Sequence, residues 1–306
     1  MTEALLQALI SGLAIGGAYA LVALGFSITF TTTKTLNFAH GDFVSAGSFI
    51  GLSSLLFLTG APLGSAIDAL AVRGVDQVVA VITTVVVMGA LGALLYLSAV
   101  RPFAGKPGMA WVMSTIGFGI IVQSLGLAIW GPAPLKVPAP FGEEVIRVGG
   151  IGFRSQEILL IATTLLVMAV FDWVMRRTMI GKAMRAVAHD RRVASLMGIN
   201  VSAVMVGAFF ISTALAGLAG FLIAPIASAS LFVGLGIALK GFSGAILGGL
   251  TNPRGCVLGG FVLGILESLV NLWQAQWREV LLFALVILVL AVRPNGLFGR
   301  AMVEKV

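Results

Sequence analysis

The groups with the greatest chemical capacity in this sequence are polar side chains set inside long apolar runs. Asn37, His40, Gly41 and Asp42 stand at the head of one run, Ser114, Thr115 and Gln123 lie along another, and Lys240 and Glu267 place opposite charges in two more. A charge at the centre of a bilayer costs roughly 2.5–3.5 kcal/mol on insertion scales, so such groups face one another or a wet cavity. Lys240 and Glu267 are therefore expected to pair between neighbouring helices, because either one buried alone would be costly. For Asn37 and His40 two readings stand. Either Asn37 caps a helix at the headgroups, or the segment is a broken helix lining a passage, where a half-helix N-terminus attracts anionic groups and would suit a zwitterion. Ser114, Thr115 and Gln123 carry the same alternatives, passage or interhelical hydrogen bonding. Asp172 and Arg176, four apart with the acid first, read as a helix-end pair.

Catalytic and metal-binding patterns are missing. His40 and His189 lie far apart with no HExxH arrangement, and no nucleophile elbow is present. Cys256 is the only cysteine, so neither an internal disulfide nor a thiolate cluster is expected. Lys106 and Lys182 each follow a glycine, but Pro107 and Ala183 come next, so the nucleotide-cradling Gly-Lys-Ser/Thr pattern fails. No metal site or catalytic residue is assigned. Energy for uphill movement would have to come from a partner or an ion gradient.

The most informative soluble stretch runs Gly181-Lys182-Ala183-Met184-Arg185-Ala186-Val187-Ala188-His189-Asp190 and on to Gly198-Ile199-Asn200. Read as one helix, it places Lys182, Arg185, His189 and Arg192 along one face at spacings of three, four and three. Ala183, Ala186, Ala194 and Met197 fall on another face, and Gly198 is the expected stop. Such a helix is too short to span a bilayer and too charged to enter it. It is either a surface helix held at the headgroups or a lever that docks on a cytoplasmic subunit.

The elements that position these groups follow from composition. Hydrophobic residues make up 59% and charged residues 10% of the 306-residue chain, against roughly 25% charged in soluble domains. The runs are long and continuous rather than alternating, so helices of about 20 residues are expected rather than a barrel. About nine spans (eight to ten) are predicted: Leu5 to Phe30, within Leu36 to Leu58, Val78 to Val100, Trp111 to Trp130, Ile158 to Met175, Ser202 to Ala224 closed by Pro225, Phe232 to Leu250, Cys256 to Leu272, and Val280 to Val292. The first lacks a positive leader, with only Thr2 and Glu3 ahead of it, and is too long for a cleavable signal.

The net charge of +7 comes from cations in the short gaps between runs, with no basic and aromatic patch for nucleic acid. The positive-inside rule sets the orientation. Lys34, Arg101, Lys106, Arg176, Arg177, Lys182, Arg185, Arg191, Arg192, Arg254, Arg293, Arg300 and Lys305 fall on the cytoplasmic side. Arg73, Lys136, Arg147, Arg154 and Arg278 fall outside, the first beside Asp68 and Asp76 in a short loop. The N-terminus is then external and the C-terminus cytoplasmic. The outside loop at about 131–154 holds four prolines and the acids Glu143 and Glu144. A small hairpin is expected around Gly149-Gly150, serving as a connector or a contact surface for an external partner. Glycine pairs at Gly12/Gly16, Gly244/Gly248, Gly255/Gly259 and Gly260/Gly264 mark close helix packing or a core able to slide between two packings.

Together these stretches resemble the LivH family of ATP-binding cassette (ABC) importer permeases over nearly the whole length. Gly181, Arg185, Ala186, Ala188, Asp190, Ala194, Gly198 and Ile199 match the family's coupling-loop pattern, with His189 where glutamine is commoner. Gly12 to Leu21 resembles its first helix and Asn37-Phe38-Ala39-His40-Gly41 its second. Thr115-Ile116-Gly117 with Gln123 fits its fourth. Lys240 to Gly249 with Asn252-Pro253-Arg254-Gly255 fits a later region, Arg254 standing where a small or apolar residue is commoner. The resemblance implies a single all-α polytopic permease domain over residues 1–306 in a bacterial inner membrane. Its cytoplasmic coupling loop at about 176–200 would transmit ATP hydrolysis through Gly181, Arg185, Ala186, Asp190 and Gly198. It further implies a second, LivM-type permease subunit, two cytoplasmic ATPases that bind the ATP and Mg, an external substrate-binding protein, and no cofactor in this chain. Asn37, His40, Ser114, Thr115 and Gln123 would line the pathway. Cargo would be branched-chain or related amino acids, or else urea, short amides or aromatic acids. A secondary transporter or channel would also explain the helices, but needs no coupling loop.

Overall fold

In hydrocarbon a chain must bond its own backbone, and the apolar runs do so as helices. The computed structural model describes residues 2–63, 65, 72, 74–103, 109–142, 145–148 and 151–299. The long helices are α1 (Thr2–Thr33), α2 (His40–Thr59), α3 (Gly74–Leu95) and α4 (Ala110–Trp130). A short antiparallel pair follows, β1 (Val145–Val148) with β2 (Ile151–Arg154), and then α5 (Ser155–Arg177). Two short helices, α6 (Met179–His189) and α7 (Arg191–Leu196), lead into α8 (Val201–Ala227), α9 (Val233–Gly248), α10 (Pro253–Gln274) and α11 (Arg278–Val292). Asp68, Arg73, Lys106, Glu143, Glu144, Gly149, Gly150, Arg300 and Lys305 lie outside the described residues.

Among the described residues seven helical stretches are long and apolar enough to cross a membrane. The last of them, Pro253–Val292, joins α10 and α11 through a three-residue 3-10 turn at Ala275–Trp277. The expected seventh span, α9, has only 16 residues and is counted with the shorter apolar helices. At 1.5 Å per residue it reaches about 24 Å, short of a roughly 30 Å hydrocarbon core. Pro225 does not close α8, which continues to Ala227. Proline's φ is compatible with a helix, and so close to the end it removes one backbone bond.

Helices α1 and α8 form the interior, while α3, α4, α5 and the α10–α11 hairpin turn apolar faces outward. The glycine pairs explain how α1, α9 and α10 close on one another. A Cβ on Gly264 would lie 2.3 Å from the Gly16 Cα, and one on Gly244 would lie 2.9 Å from the Gly260 Cα. Gly248 and Gly255 meet in the same way. Close packing is what this geometry displays.

Candidate functional site

The charged segment after α5 folds as two helices rather than one. Asp190 interrupts it: its Oδ1 accepts the backbone N–H groups of Arg192 at 2.7 Å and Val193 at 3.1 Å, so it ends α6 and caps α7. Those bonds hold the exposed Asp190 carboxyl below the usual carboxylate range. Arg192 consequently does not continue the face of Lys182, Arg185 and His189. The buried face of α6 is Gly181, Met184 and Val187, and Met197 is exposed rather than packed. Gly198 does terminate α7, with φ +81°, its N–H bonded to the Ser195 carbonyl and that of Ile199 to the Ala194 carbonyl. This is a Schellman ending.

The segment is fastened to the ends of two long helices. Arg185 Nη1 donates to the Met175 carbonyl at the end of α5, and a Cβ on Gly181 would fall 2.4 Å from the Val174 carbonyl oxygen. Arg191 Nη2 donates to the Thr32 carbonyl at the end of α1, at 3.1 Å. Ala186 is partly buried against the core. The outward surface is apolar as well as charged: Leu196 is 86% exposed, with Met179, Ile180, Val193 and Met197 also exposed.

Asn37 is not the N-cap of α2. That position is Ala39, whose N–H Asn37 Oδ1 accepts at 3.1 Å from two residues back, an Asx turn leading into the helix. Asn37 Nδ2 and both His40 ring nitrogens are buried without a hydrogen bond of normal geometry. The His40 ring lies 4.3 Å from that of Phe26 and against Gly25. Helix α4 meets this corner at Gly119, beside Ala39 and Asp42. Thr115, one turn earlier, is buried and donates to its own helix at Val112, and Ser114 is half-buried. Gln123 lies apart from His40, donating to the Leu231 carbonyl at 3.3 Å.

That carbonyl belongs to irregular backbone between α8 and α9. Ser228 has φ +67°, and Ala229 forms a two-bond bridge with Leu135 of the 131–154 loop. Non-helical backbone at membrane depth is tolerated where protein or a cavity receives it. Here Ser45, Ser48, Ser228 and Ser230 line one small pocket, with Gly234 N–H donating to Ser45 Oγ at 3.0 Å. These four serines were not read from the sequence; the Ser228-Ala229-Ser230 triplet just after Pro225 was the available signal.

Lys240 and Glu267 do pair, Nζ to Oε1 at 2.7 Å. Three further groups join them: Tyr19 Oη donates to Glu267 Oε2 at 2.7 Å, Glu279 meets Lys240 at 2.8 Å, and Arg278 reaches Glu267 at 3.4 Å. Two cations thus face two carboxylates across α1, α9, α10 and α11. At the other end of α10, Arg254 takes Asp172 from α5 by two bonds, and Arg176 also pairs with Asp172. Among the described residues no His, Cys, Asp and Glu cluster suited to a metal occurs.

The model of the branched-chain amino acid transport system permease component family matches residues 8–290. The chain is 32% identical to the high-affinity branched-chain amino acid transport system permease protein BraD of Pseudomonas aeruginosa, over 98% of both chains. It is 30% identical to LivH of Escherichia coli, over 98% of this chain and 97% of that one. A probable LivH of Methanocaldococcus jannaschii is 25% identical over 91% and 88% of the two chains.

Proposed function

Because the chain belongs to the family of permease components of branched-chain amino acid transport systems, we propose that it forms half of the translocation pathway of an ABC importer for branched-chain or related amino acids. The observation that carries this reading is the α6–α7 elbow. Its inner face is fixed to the ends of α1 and α5, while Met179, Ile180, Val193, Leu196 and Met197 stand exposed among Lys182, Arg185 and Arg192. Segments this charged do not enter lipid, and exposed apolar groups on them suit a protein partner. That partner is a cytoplasmic ATPase, which binds the ATP and Mg and whose closure α6 passes to α5 through Gly181 and Arg185. Asp190 and Gly198 fix the elbow's shape, and Ala186 seats it.

In the full assembly a second, LivM-type permease completes the passage, a second ATPase serves it, and an external binding protein delivers the solute. The bundle crosses the inner membrane about nine times, α9 and α11 counting as short spans, with the N-terminus external. Asn37, His40, Ser114, Thr115 and Gln123 line the passage together with the four serines. The buried nitrogens of Asn37 and His40 support this, since buried polar atoms without a hydrogen bond of normal geometry are rare and call for an explanation. A state in which α2 faces the passage would supply their missing partners.

The test is Leu196→Glu in the co-expressed transporter. Leu196 touches little of its own chain, so folding should persist while recovery of the ATPases with the permease and solute uptake are both lost. Retained uptake, or accumulation of solute by the purified chain alone in vesicles, would instead favour a secondary transporter.

A further inference from the structure

The ion cluster of Lys240, Glu267, Arg278 and Glu279 lies at a depth where a charge turned toward lipid is costly. Glu267 follows the start of α10, and Tyr19 precedes the end of α1, by about 14 residues each, roughly 21 Å at 1.5 Å per residue. That level falls inside a hydrocarbon core of roughly 30 Å. Lys240 draws Glu279 to it at 2.8 Å and Glu267 draws Arg278 at 3.4 Å, so neither is free to reach up to the headgroups. Every charge in the cluster has a partner, yet burial is uneven. The Lys240 and Glu267 side chains are 12% and 6% exposed, those of Arg278 and Glu279 40% and 50%. Charged groups with that much free surface at this depth face protein or water. The outward faces of α3, α4 and α5 carry no charge at comparable depth.

A second observation concerns α9, which enters from irregular backbone and is too short to span. Val233, Gly236 and Lys240 recur at three and four along one of its faces, and Phe232, Leu235 and Leu239 beside them are exposed. Nothing lies within 4 Å of a Cβ added at Gly236. Its own chain therefore gives no reason for a residue that weakens a helix interior by roughly 0.5–1 kcal/mol. A small residue on such a face admits the backbone of a neighbouring helix. We propose that the flank of α9 and α11, centred on Arg278 and Glu279, is the surface against which the second permease subunit packs. The inference rests on the importer reading above and adds which face that subunit covers. Arg278 and Glu279 set a base beside an acid, a pattern that complements itself across a two-fold axis. A partner of the same fold pairs its own acid with Arg278 and its own base with Glu279, and lays a helix over Gly236. Lipid is left to α3, α4 and α5.

The test uses the whole transporter, co-expressed with this chain tagged. A photoreactive phenylalanine analogue replaces Leu239 in one variant and Ile121, exposed on α4, in another. Irradiation should join the Leu239 variant to the second permease and leave the Ile121 variant without a protein adduct. Gly236→Trp should lower recovery of the second permease by about tenfold or more, the scale of one overpacked contact. The yield of the tagged chain itself should hold, since the position is open within it. Gly117→Trp, at an equally open position on α4, should leave recovery unchanged. An adduct from Ile121 but none from Leu239, or equal recovery with the two tryptophan variants, would overturn the assignment. So would rapid labelling of Leu239→Cys by a membrane-impermeant maleimide in the assembled transporter, which would make the flank the wall of a wet passage. If no second permease accompanies even the parent chain, the importer reading falls and this inference with it. A parent complex that Gly236→Trp leaves intact sinks this inference alone.

Discussion

Arg254 and Asp172 meet fork to fork, Nε to Oδ1 at 2.8 Å and Nη2 to Oδ2 at 2.7 Å, tying the first turn of α10 to the last turns of α5. The pair is largely exposed, so as a stabilising contact it is weak. Its position gives it another use. The end of α5 also receives Arg185 from α6, so under the proposed coupling role a push on the elbow would reach α10, and through the glycine seam α1, by way of this bridge. Arg254→Ala should leave the thermal midpoint nearly unchanged and lower substrate-stimulated ATP hydrolysis of the reconstituted transporter severalfold. The exchange Arg254→Asp with Asp172→Arg should restore most of it. An exchange that restores nothing removes the bridge from the coupling route.

The ion cluster beside α9 should behave in the opposite way, costly to break and cheap to replace. Glu267→Gln leaves Lys240 and Arg278 sharing the half-exposed Glu279, and should destabilise by about 3–5 kcal/mol. Tyr19→Phe removes one bond to a carboxylate, about 1.5–3 kcal/mol. Lys240→Met with Glu267→Leu should cost little beyond the lost Tyr19 bond, because neither charge is then left unpaired. Thermal unfolding in one detergent orders the four proteins; a double replacement as damaging as Glu267→Gln would contradict the electrostatic account.

Glycines divide sharply by what surrounds them. A side chain at Gly264 meets the α1 backbone, so Gly264→Val should cost at least 1–3 kcal/mol and depress the yield of folded protein. Nothing lies within 4 Å of a Cβ at Gly117 or Gly207, and alanine at either should stabilise its helix by roughly 0.5–1 kcal/mol. Comparing the thermal midpoints of these variants tests the seam directly; equal effects would show that the close approach of α1 and α10 is not maintained.

What the sequence made legible were features carried by one segment at a time. Apolar runs located the long helices, and the antiparallel pairing of β1 with β2 needed only its own residues. Lys240 and Glu267 could be paired at a distance because they were the only opposite charges deep in spans. Tyr19, Arg278 and Glu279 escaped because nothing in a linear reading brings α1 and the head of α11 to the same carboxylate. Gln123 was singled out, but its partner was not, because that acceptor is a backbone carbonyl, which every residue has. The break at Asp190 was readable as a cap, but the three-four-three spacing of Lys182, Arg185, His189 and Arg192 runs across it and favoured one helix. Tertiary anchoring of Arg191 on α1 and Arg185 on α5 decides otherwise.

Asp190 is the residue on which the elbow's shape turns, and its ionisation can be followed. Its carboxyl is held below the ordinary value by the Val193 and Arg192 N–H groups, so the ionised form is favoured when α7 is folded. A carboxylate depressed in the folded state contributes fully above its unfolded pKa, near 4, and loses that contribution as pH falls through the lower folded value. Hydrogen exchange at residues 191–197 should therefore show constant protection between pH 5 and pH 8, after correction for the intrinsic rate, and loosening only below about pH 4. Asp190→Asn keeps an acceptor for the same N–H groups and should be protected without that acid limb. Asp190→Ala should be loosened at every pH and should reduce coupling of ATP hydrolysis to substrate. If the alanine variant exchanges as slowly as the parent at pH 7, the cap does not hold the two helices at their angle, and the elbow must owe its shape to Arg191 and Gly198 alone.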